Sequence, residues 1–262
     1  MLGFERKAEI ATMLEESGMV DVTSLSGRFG VCRETIRRDL GELEREGVVK
    51  RTHGGAVLDL SAVKAHAEFP VAVREIQRQA EKLVICRRAA SMIEDGDTVF
   101  MDNSSTTLYL LRYLPRGRRV CILTNSLKLI LEAVRVGNPD IQLVCLGGEF
   151  KASNMSFSGA IPQRIGKDYY PGKAFMSCAG ISERQMLADS SAAEVETKRL
   201  MIERSHEVVI LADHTKFENV GQVFLADFTA IDCIVTDSGT DLKALAFLAG
   251  YGTKLVIAEA GT

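Results

Sequence analysis

The stretch VCRETIRRDLGELEREGVVKRTHGGAV, residues 31–57, decides how the N-terminal part of the chain folds. Ile36, Leu40 and Leu43 fall at i, i+4 and i+7, which predicts a helix from about Arg33 to Glu46 with one apolar face. Gly47 is placed to end it, as a residue free to adopt positive φ. Val48 and Val49 lead into KRTHGGAV, which predicts two short strands around Gly54-Gly55. Upstream, Phe4, Ala8, Ile10, Ala11 and Leu14 predict a helix over 4–16, closed by Ser17-Gly18. Asp21 or Thr23 can cap a second helix ending near Phe29-Gly30. Three short helices and a basic hairpin describe a winged helix-turn-helix, whose last helix presents its first turns to the major groove of DNA. Arg33 and Arg37 share a face of that helix, and Arg38 lies beside Glu34 and Thr35. These five are the candidate DNA-contacting residues, since an arginine fork pairs with guanine or holds phosphate. Lys50, Arg51 and His53 in the wing join them, for phosphate or the minor groove.

Bulk charge gives this reading no support. The net charge is −3, and the first 60 residues hold nine Lys/Arg against eleven Asp/Glu. Glu34, Asp39, Glu42, Glu44 and Glu46 nearly cancel the arginines in number, so a DNA-binding face requires the basic groups to be segregated. Composition is that of a soluble globular protein, 46% hydrophobic and 26% charged. No apolar run approaches the ~18 residues that span a bilayer, and the charged N-terminus is unlike a secretion signal, so a cytoplasmic protein is expected. The six cysteines include no CxxC pair and the four histidines are scattered, so neither a metal site nor a cofactor is expected. Cys121, Cys145, Cys178 and Cys233 lie in apolar runs and are expected in the core.

Residues 58–73 carry little periodicity and read as a linker between a domain at 1–57 and a larger one at 74–262. A helix is expected from Arg74 to Ile93, closed by Asp95-Gly96-Asp97. Apolar runs then alternate with helical patterns: 98–102, 120–124, 141–147, 173–178, 207–213, 232–237 and 254–258, with helices near 105–114, 127–136, 192–205 and 241–249. Such alternation predicts an α/β domain with a mostly parallel sheet and helices on both faces.

The run from Val31 to Leu40, then Leu43-Glu44, Gly47 and Arg51-Thr52-His53-Gly54-Gly55-Ala56, resembles the DeoR family of transcription regulators. The similarity continues through Glu68, Pro70, Arg74, Lys82, Ala89-Ala90 and Asp95-Gly96-Asp97. It runs on through Asp102–Thr107, Thr124-Asn125-Ser126, Gly147-Gly148, Glu194, Glu196, Lys198, Asp213, Lys216-Phe217 and Thr236-Asp237. The resemblance implies a sensing domain similar to ribose-5-phosphate isomerase and CoA transferases, with a sugar phosphate as the usual ligand. Three departures stand out. Cys32 replaces a serine that would cap the recognition helix, and a thiolate is favoured at a helix N-terminus, which raises a redox role. Ser104 replaces a glycine. Ser177-Cys178-Ala179-Gly180-Ile181 lacks the family's acid, and its Gly-Leu-Thr is altered around Gln185-Met186-Leu187.

Ligands of open α/β sheets bind beyond the carboxyl ends of strands. Asn103-Ser104-Ser105-Thr106-Thr107 follows a strand and could cradle a phosphate, Thr124-Asn125-Ser126 and Gly147-Gly148 end the next two strands, and Lys216 could neutralise the phosphate. Asp102 and Glu194 could accept hydrogen bonds from sugar hydroxyls. The expected function is a repressor of a carbohydrate-metabolism operon, relieved by a phosphorylated sugar, with operator DNA as partner and no membrane. Two-fold operators imply a homo-oligomer, dimer or tetramer. The alternative is a sugar-phosphate isomerase or CoA-transferase-like enzyme with Glu194 or Asp102 as base, although a DNA-reading head has no use in such an enzyme. An architectural DNA binder leaves the large α/β domain unexplained.

Overall fold

The computed structural model describes residues 17–45, 49–58, 71–217, 219–241, 243 and 245–259, together with Arg6, Lys7, Glu9, Ile10, Met13 and Leu14. The chain forms two compact units, Met1–Gln77 and Arg78–Thr262.

In the first unit the described positions from Arg6 to Ser17 are helical. Then follow β1 (Met19–Asp21), α1 (Val22–Phe29), α2 (Arg33–Arg45), β2 (Val49–Arg51) and β3 (Gly55–Leu58). Asp21 caps α1, its Oδ1 accepting from the N–H groups of Thr23 and Ser24 at 2.9 Å, and Gly30 ends the helix at φ 63°. Ile10, Leu14, Leu25, Ile36 and Leu40 are fully buried in one core, so the periodicity of the expected helices is the periodicity of packing. The expected stop at Gly47 lies outside the described residues. The wing has three strands, in the order β1-β3-β2 and all antiparallel, where two were expected. β1 is only three residues long, too short for alternation to announce it. Gly55 is indispensable at its crossing with β1: an added Cβ would lie 1.9 Å from the Val20 carbonyl oxygen. A further helix, α3 (Val71–Ile76), starts inside the stretch expected to be linker; Glu68 and Pro70 lie outside the described residues.

The second unit opens with α4 (Gln79–Ala90). The single helix expected from Arg74 to Ile93 is therefore two helices. Arg78 stands between them at φ 54°, a left-handed conformation that interrupts the helical ladder. The central sheet contains β4 (Thr98–Met101), β5 (Val120–Thr124), β6 (Ile141–Cys145), β9 (Lys173–Met176), β12 (Glu207–Leu211), β14 (Cys233–Asp237) and β15 (Lys254–Ala258). All seven strands run parallel, in the order β15-β14-β12-β9-β4-β5-β6. Val99 and Met101 of β4 face a core shared with α4 and the 3-10 helix Thr107–Tyr113, while Phe100 faces one shared with α7 (Ala192–Arg204). Both faces are thus covered, which is why the strands read as continuous apolar runs. The helix at 127–136 is α5 (Leu127–Val136), whereas the segments expected near 105–114 and 241–249 are 3-10 helices, Thr107–Tyr113 and Ala246–Tyr251.

Three features were not anticipated: the hairpin β7 (Glu149–Lys151)–β8 (Ser156–Ser158), α6 (Ala160–Gly166), and an antiparallel sheet of β10 (Gly180–Ser182), β11 (Met186–Asp189) and β13 (Val223–Ala226). Cys178 and Cys233 are buried as expected, but Cys145 is exposed and Cys121 half-buried. Both sit at the margin of the sheet: Cys145 on the edge strand β6, whose residues are at most half-buried, and Cys121 on β5, the strand paired with it.

Candidate functional site

Two regions collect the candidate residues, one in each unit. On α2, Arg33, Glu34, Arg37 and Arg38 are exposed and Thr35 is half-buried, while Ile36, Leu40 and Leu43 face the core. Lys50, Arg51 and His53 are exposed on the wing. Of the acidic residues that cancel these charges in number, Asp39 and Glu42 are taken up by basic side chains of the first helix, Glu34 and Glu44 are exposed, and Glu46 lies outside the described residues. Asp39 is 4% exposed and takes a bidentate pair from Arg6, Nε at 2.5 Å and Nη2 at 3.1 Å. Glu42 accepts from Lys7 at 2.7 Å, which holds its carboxyl below the usual range. Glu44 accepts from the Arg51 backbone N–H at 3.1 Å. The arginines of α2 are thereby left on the outer surface. Glu34 stays beside Arg37, at 3.5 Å, an exposed pair of little energetic weight. Cys32 sits just before α2, its carbonyl accepting from Thr35 and Ile36 N–H and its Sγ 3.2 Å from Thr35 Oγ1. Those Thr35 hydrogen bonds lower its thiol pKa.

In the second unit, β4, β5 and β6 step outward in one direction and β9, β12, β14 and β15 in the other. The sheet order therefore reverses between β4 and β9, and the crevice beyond their carboxyl ends is where such a sheet binds ligands. Asp102 closes that crevice. It is fully buried, its Oδ1 accepts from Ser104 N–H (3.0 Å) and Thr107 Oγ1 (2.8 Å), and its Oδ2 accepts from Ser177 N–H at the end of β9 (3.1 Å). Lys198 of α7 reaches the same point, 3.2 Å from Asp102, 2.5 Å from Asp189 and donating to the Ser177 carbonyl at 2.7 Å. Burial acts to lower its pKa, but Asp189, Asp102 and Glu194 together raise it above the ordinary lysine value.

The loop after β4 is internally braced. Ser104 Oγ accepts from Thr107 N–H at 3.2 Å, and Lys82 Nζ of α4 donates to Ser105 Oγ at 3.1 Å. Ser104, Ser105, Thr106 and Thr107 are all buried. Thr124 Oγ1 accepts from Ser126 N–H, and Asn125 is tied to β8 through its backbone and side chain. Gly147 and Gly148 lead into the β7–β8 hairpin. A Cβ at Gly148 would lie 2.4 Å from the Ser158 carbonyl oxygen, so that glycine answers to the hairpin's close approach. Glu194 accepts from Asn154 Nδ2 and so ties the hairpin to α7. Lys216 is half-buried in the 3-10 turn His214–Lys216, and its charge acts on Cys178 beyond the end of β9, whose thiol burial pushes up to about 12.

Lys82, Asn154, Ser177, Asp189 and Lys198 belong to this constellation without having been singled out for it. Two had a signal. Lys82, Cys86 and Ala89 occupy one stripe of α4, and Glu194, Lys198 and Met201 one stripe of α7, so charged residues stand at core positions. Among the described residues no group of His, Cys, Asp and Glu is arranged to hold a metal, and no helix is long and apolar enough to cross a membrane.

Residues 6–62 match the family model of a DeoR-like helix-turn-helix domain, and residues 77–238 that of the DeoR C terminal sensor domain. The uncharacterized HTH-type transcriptional regulator YulB of Bacillus subtilis (strain 168) is 34% identical over 248 residues, 94% of each chain. The transcriptional repressor AccR of Agrobacterium fabrum is 33% identical over 237 residues, 90% of each. The glycerol-3-phosphate regulon repressor of Escherichia coli (strain K12) is 28% identical over 251 residues, 96% of this chain and 97% of that one. A solved ribose 5-phosphate isomerase A from Methanocaldococcus jannaschii aligns with 54% of this chain and 55% of its own at 19% identity and a TM-score of 0.39, too distant to carry an argument. With both family models matched in order, and relatives at a third identity spanning nine-tenths of its length, the chain belongs to the DeoR family of transcription regulators.

Proposed function

We propose that this chain is a cytoplasmic repressor of a carbohydrate-metabolism operon, released from its operator by a phosphorylated sugar and acting as a homo-oligomer. The DNA-reading head is residues 1–57, joined through 58–73 to a sensing domain over 74–262. One observation carries the DNA half: Arg6 and Lys7 take up Asp39 and Glu42, leaving Arg33, Arg37 and Arg38 of α2 exposed as a basic face. Arg33, Glu34, Thr35, Arg37 and Arg38 then meet the major groove, and Lys50, Arg51 and His53 the backbone or minor groove.

For the effector, the hydroxyl-rich loop Asn103–Thr107 takes the phosphate, with Lys82 beneath it on Ser105 and Lys216 approaching from the end of β12. Asp102 and Glu194 act mainly by bracing the loop and the hairpin. The same engagement weighs against the enzyme reading, since an isomerase needs a carboxylate held ready for the substrate. A relative named for the glycerol-3-phosphate regulon fits a phosphorylated effector.

The test is thermal stabilisation of the full chain by a panel of sugar phosphates and the matching free sugars, followed by operator binding with and without the compound that binds. A ligand at a hundredfold excess over Kd contributes about 2.7 kcal/mol of apparent stability. Stabilisation by one phosphorylated compound, with operator release that Lys216→Ala abolishes, is the expected result. Stabilisation by free sugars alone would overturn the phosphate assignment, and a normal response in Lys216→Ala would remove Lys216 from the site.

A further inference from the structure

We infer that Asn125 is the residue by which the sensing domain requires a hydroxyl group on its effector, so that the phosphate alone does not satisfy the site; this rests on the phosphate-loop assignment above. Asn125 follows β5, the strand beside β4, and so stands at the same sheet edge as the Asn103–Thr107 loop. It is 1% exposed. Its Nδ2 donates to the Phe157 carbonyl at 3.0 Å, and its own carbonyl accepts from Phe157 N–H at 2.8 Å, which fixes both the backbone and the orientation of the amide. With the amide held that way, Oδ1 is left buried with no hydrogen-bond partner among the described residues.

A buried acceptor without a donor is costly, and natural structures rarely leave one empty. A phosphate group cannot fill the place, because its oxygens at neutral pH are themselves overwhelmingly acceptors. The missing partner is a donor, and on a phosphorylated sugar or polyol the donor is a hydroxyl. The strand register places this acceptor one strand away from the loop that takes the phosphate, so the hydroxyl belongs to the carbon chain carrying the phosphate. A site built to pair a hydroxyl discriminates strongly against the analogue lacking it, because the protein acceptor is then stranded.

The experiment is calorimetric titration of the full chain with inorganic phosphate, with pentose, hexose and polyol phosphates, and with the single-deoxy analogues of whichever compound binds. The expected result is one sugar or polyol phosphate that binds far more tightly than inorganic phosphate. Removing one particular hydroxyl from it then costs on the order of 10–100-fold in affinity, the scale of one buried acceptor left unpaired. In Asn125→Leu, that parent compound and its deoxy analogue bind within about twofold of each other. If Asn125→Leu does not fold, the deoxy series on the unaltered chain decides. Equal binding of inorganic phosphate and every sugar phosphate, or deoxy analogues all within twofold of their parents, would overturn the inference while leaving the phosphate loop standing; an ordered water would then be filling the acceptor. Failure of every phosphate to bind would sink the phosphate-loop assignment itself, and this inference with it.

Discussion

Lys198 is a charged side chain on the buried side of α7, which it shares with Glu194, Val195 and Met201. Its ammonium joins Asp102 after β4, Asp189 of β11 and the Ser177 carbonyl after β9, so one side chain ties together three segments that meet at the crevice. Removing one partner of a buried pair leaves the other charge uncompensated, which costs about 3–5 kcal/mol. Lys198→Met is therefore expected to destabilise the sensing unit by about that amount, read from the urea midpoint; a loss below about 1 kcal/mol would show that the pairing is incidental. The pH dependence has a definite sign. A lysine whose folded pKa is raised contributes stability that is fully present below the unfolded value of 10.5 and is lost as pH rises through the higher folded value. Lys198 should thus add no slope to stability between pH 6 and 9, and an alkaline loss should appear only beyond it.

At the scale of elements, α2 shows what one side chain at a helix start does. Cys32 occupies the position where a hydroxyl or carboxylate would cap the helix. Cys32→Ser is expected to stabilise the first unit by up to about 1 kcal/mol, measured by thermal unfolding; no gain would mean that the thiol beside Thr35 already serves as the cap. The double substitution Arg37→Ala with Arg38→Ala, on the exposed face, should abolish operator binding while leaving effector affinity intact. Retained operator binding at physiological salt, in a fluorescence anisotropy titration, would contradict the role of α2. Both helices of the DNA-reading motif after Gly18, the seven parallel strands and the polar loops at their carboxyl ends were legible, because each is written in local periodicity. The break at Arg78 was not, since nothing in Gln77-Arg78 marks a left-handed residue. Neither was the β10-β11-β13 sheet, whose strands of three or four residues are too short to show alternation. The basic face of α2 was obscured for a different reason: the residues that take up Asp39 and Glu42 are Arg6 and Lys7, over thirty positions away. Lys82 and Lys198 were marked as unusual by their place on the core stripes of α4 and α7, but the partners that give them a role, Ser105 and Asp102, lie on a different element.

In the whole molecule a DNA-reading head and a sensor domain share one chain, and any link between them is thermodynamic. If the effector weakens operator binding by some factor, the operator must weaken effector binding by the same factor. Couplings of this kind are typically about 1–3 kcal/mol, a change of roughly 5–150-fold in affinity. Operator binding should also fall steeply with salt, because Arg and Lys contacts to phosphates release counterions. The most direct measurement is the operator affinity of the full chain, titrated with and without each member of the sugar-phosphate panel at fixed salt. One phosphorylated compound is expected to shift the operator Kd by at least about fivefold, and its unphosphorylated counterpart is not. An operator affinity that no phosphorylated compound alters, or binding no tighter to any selected sequence than to random DNA, would contradict this reading.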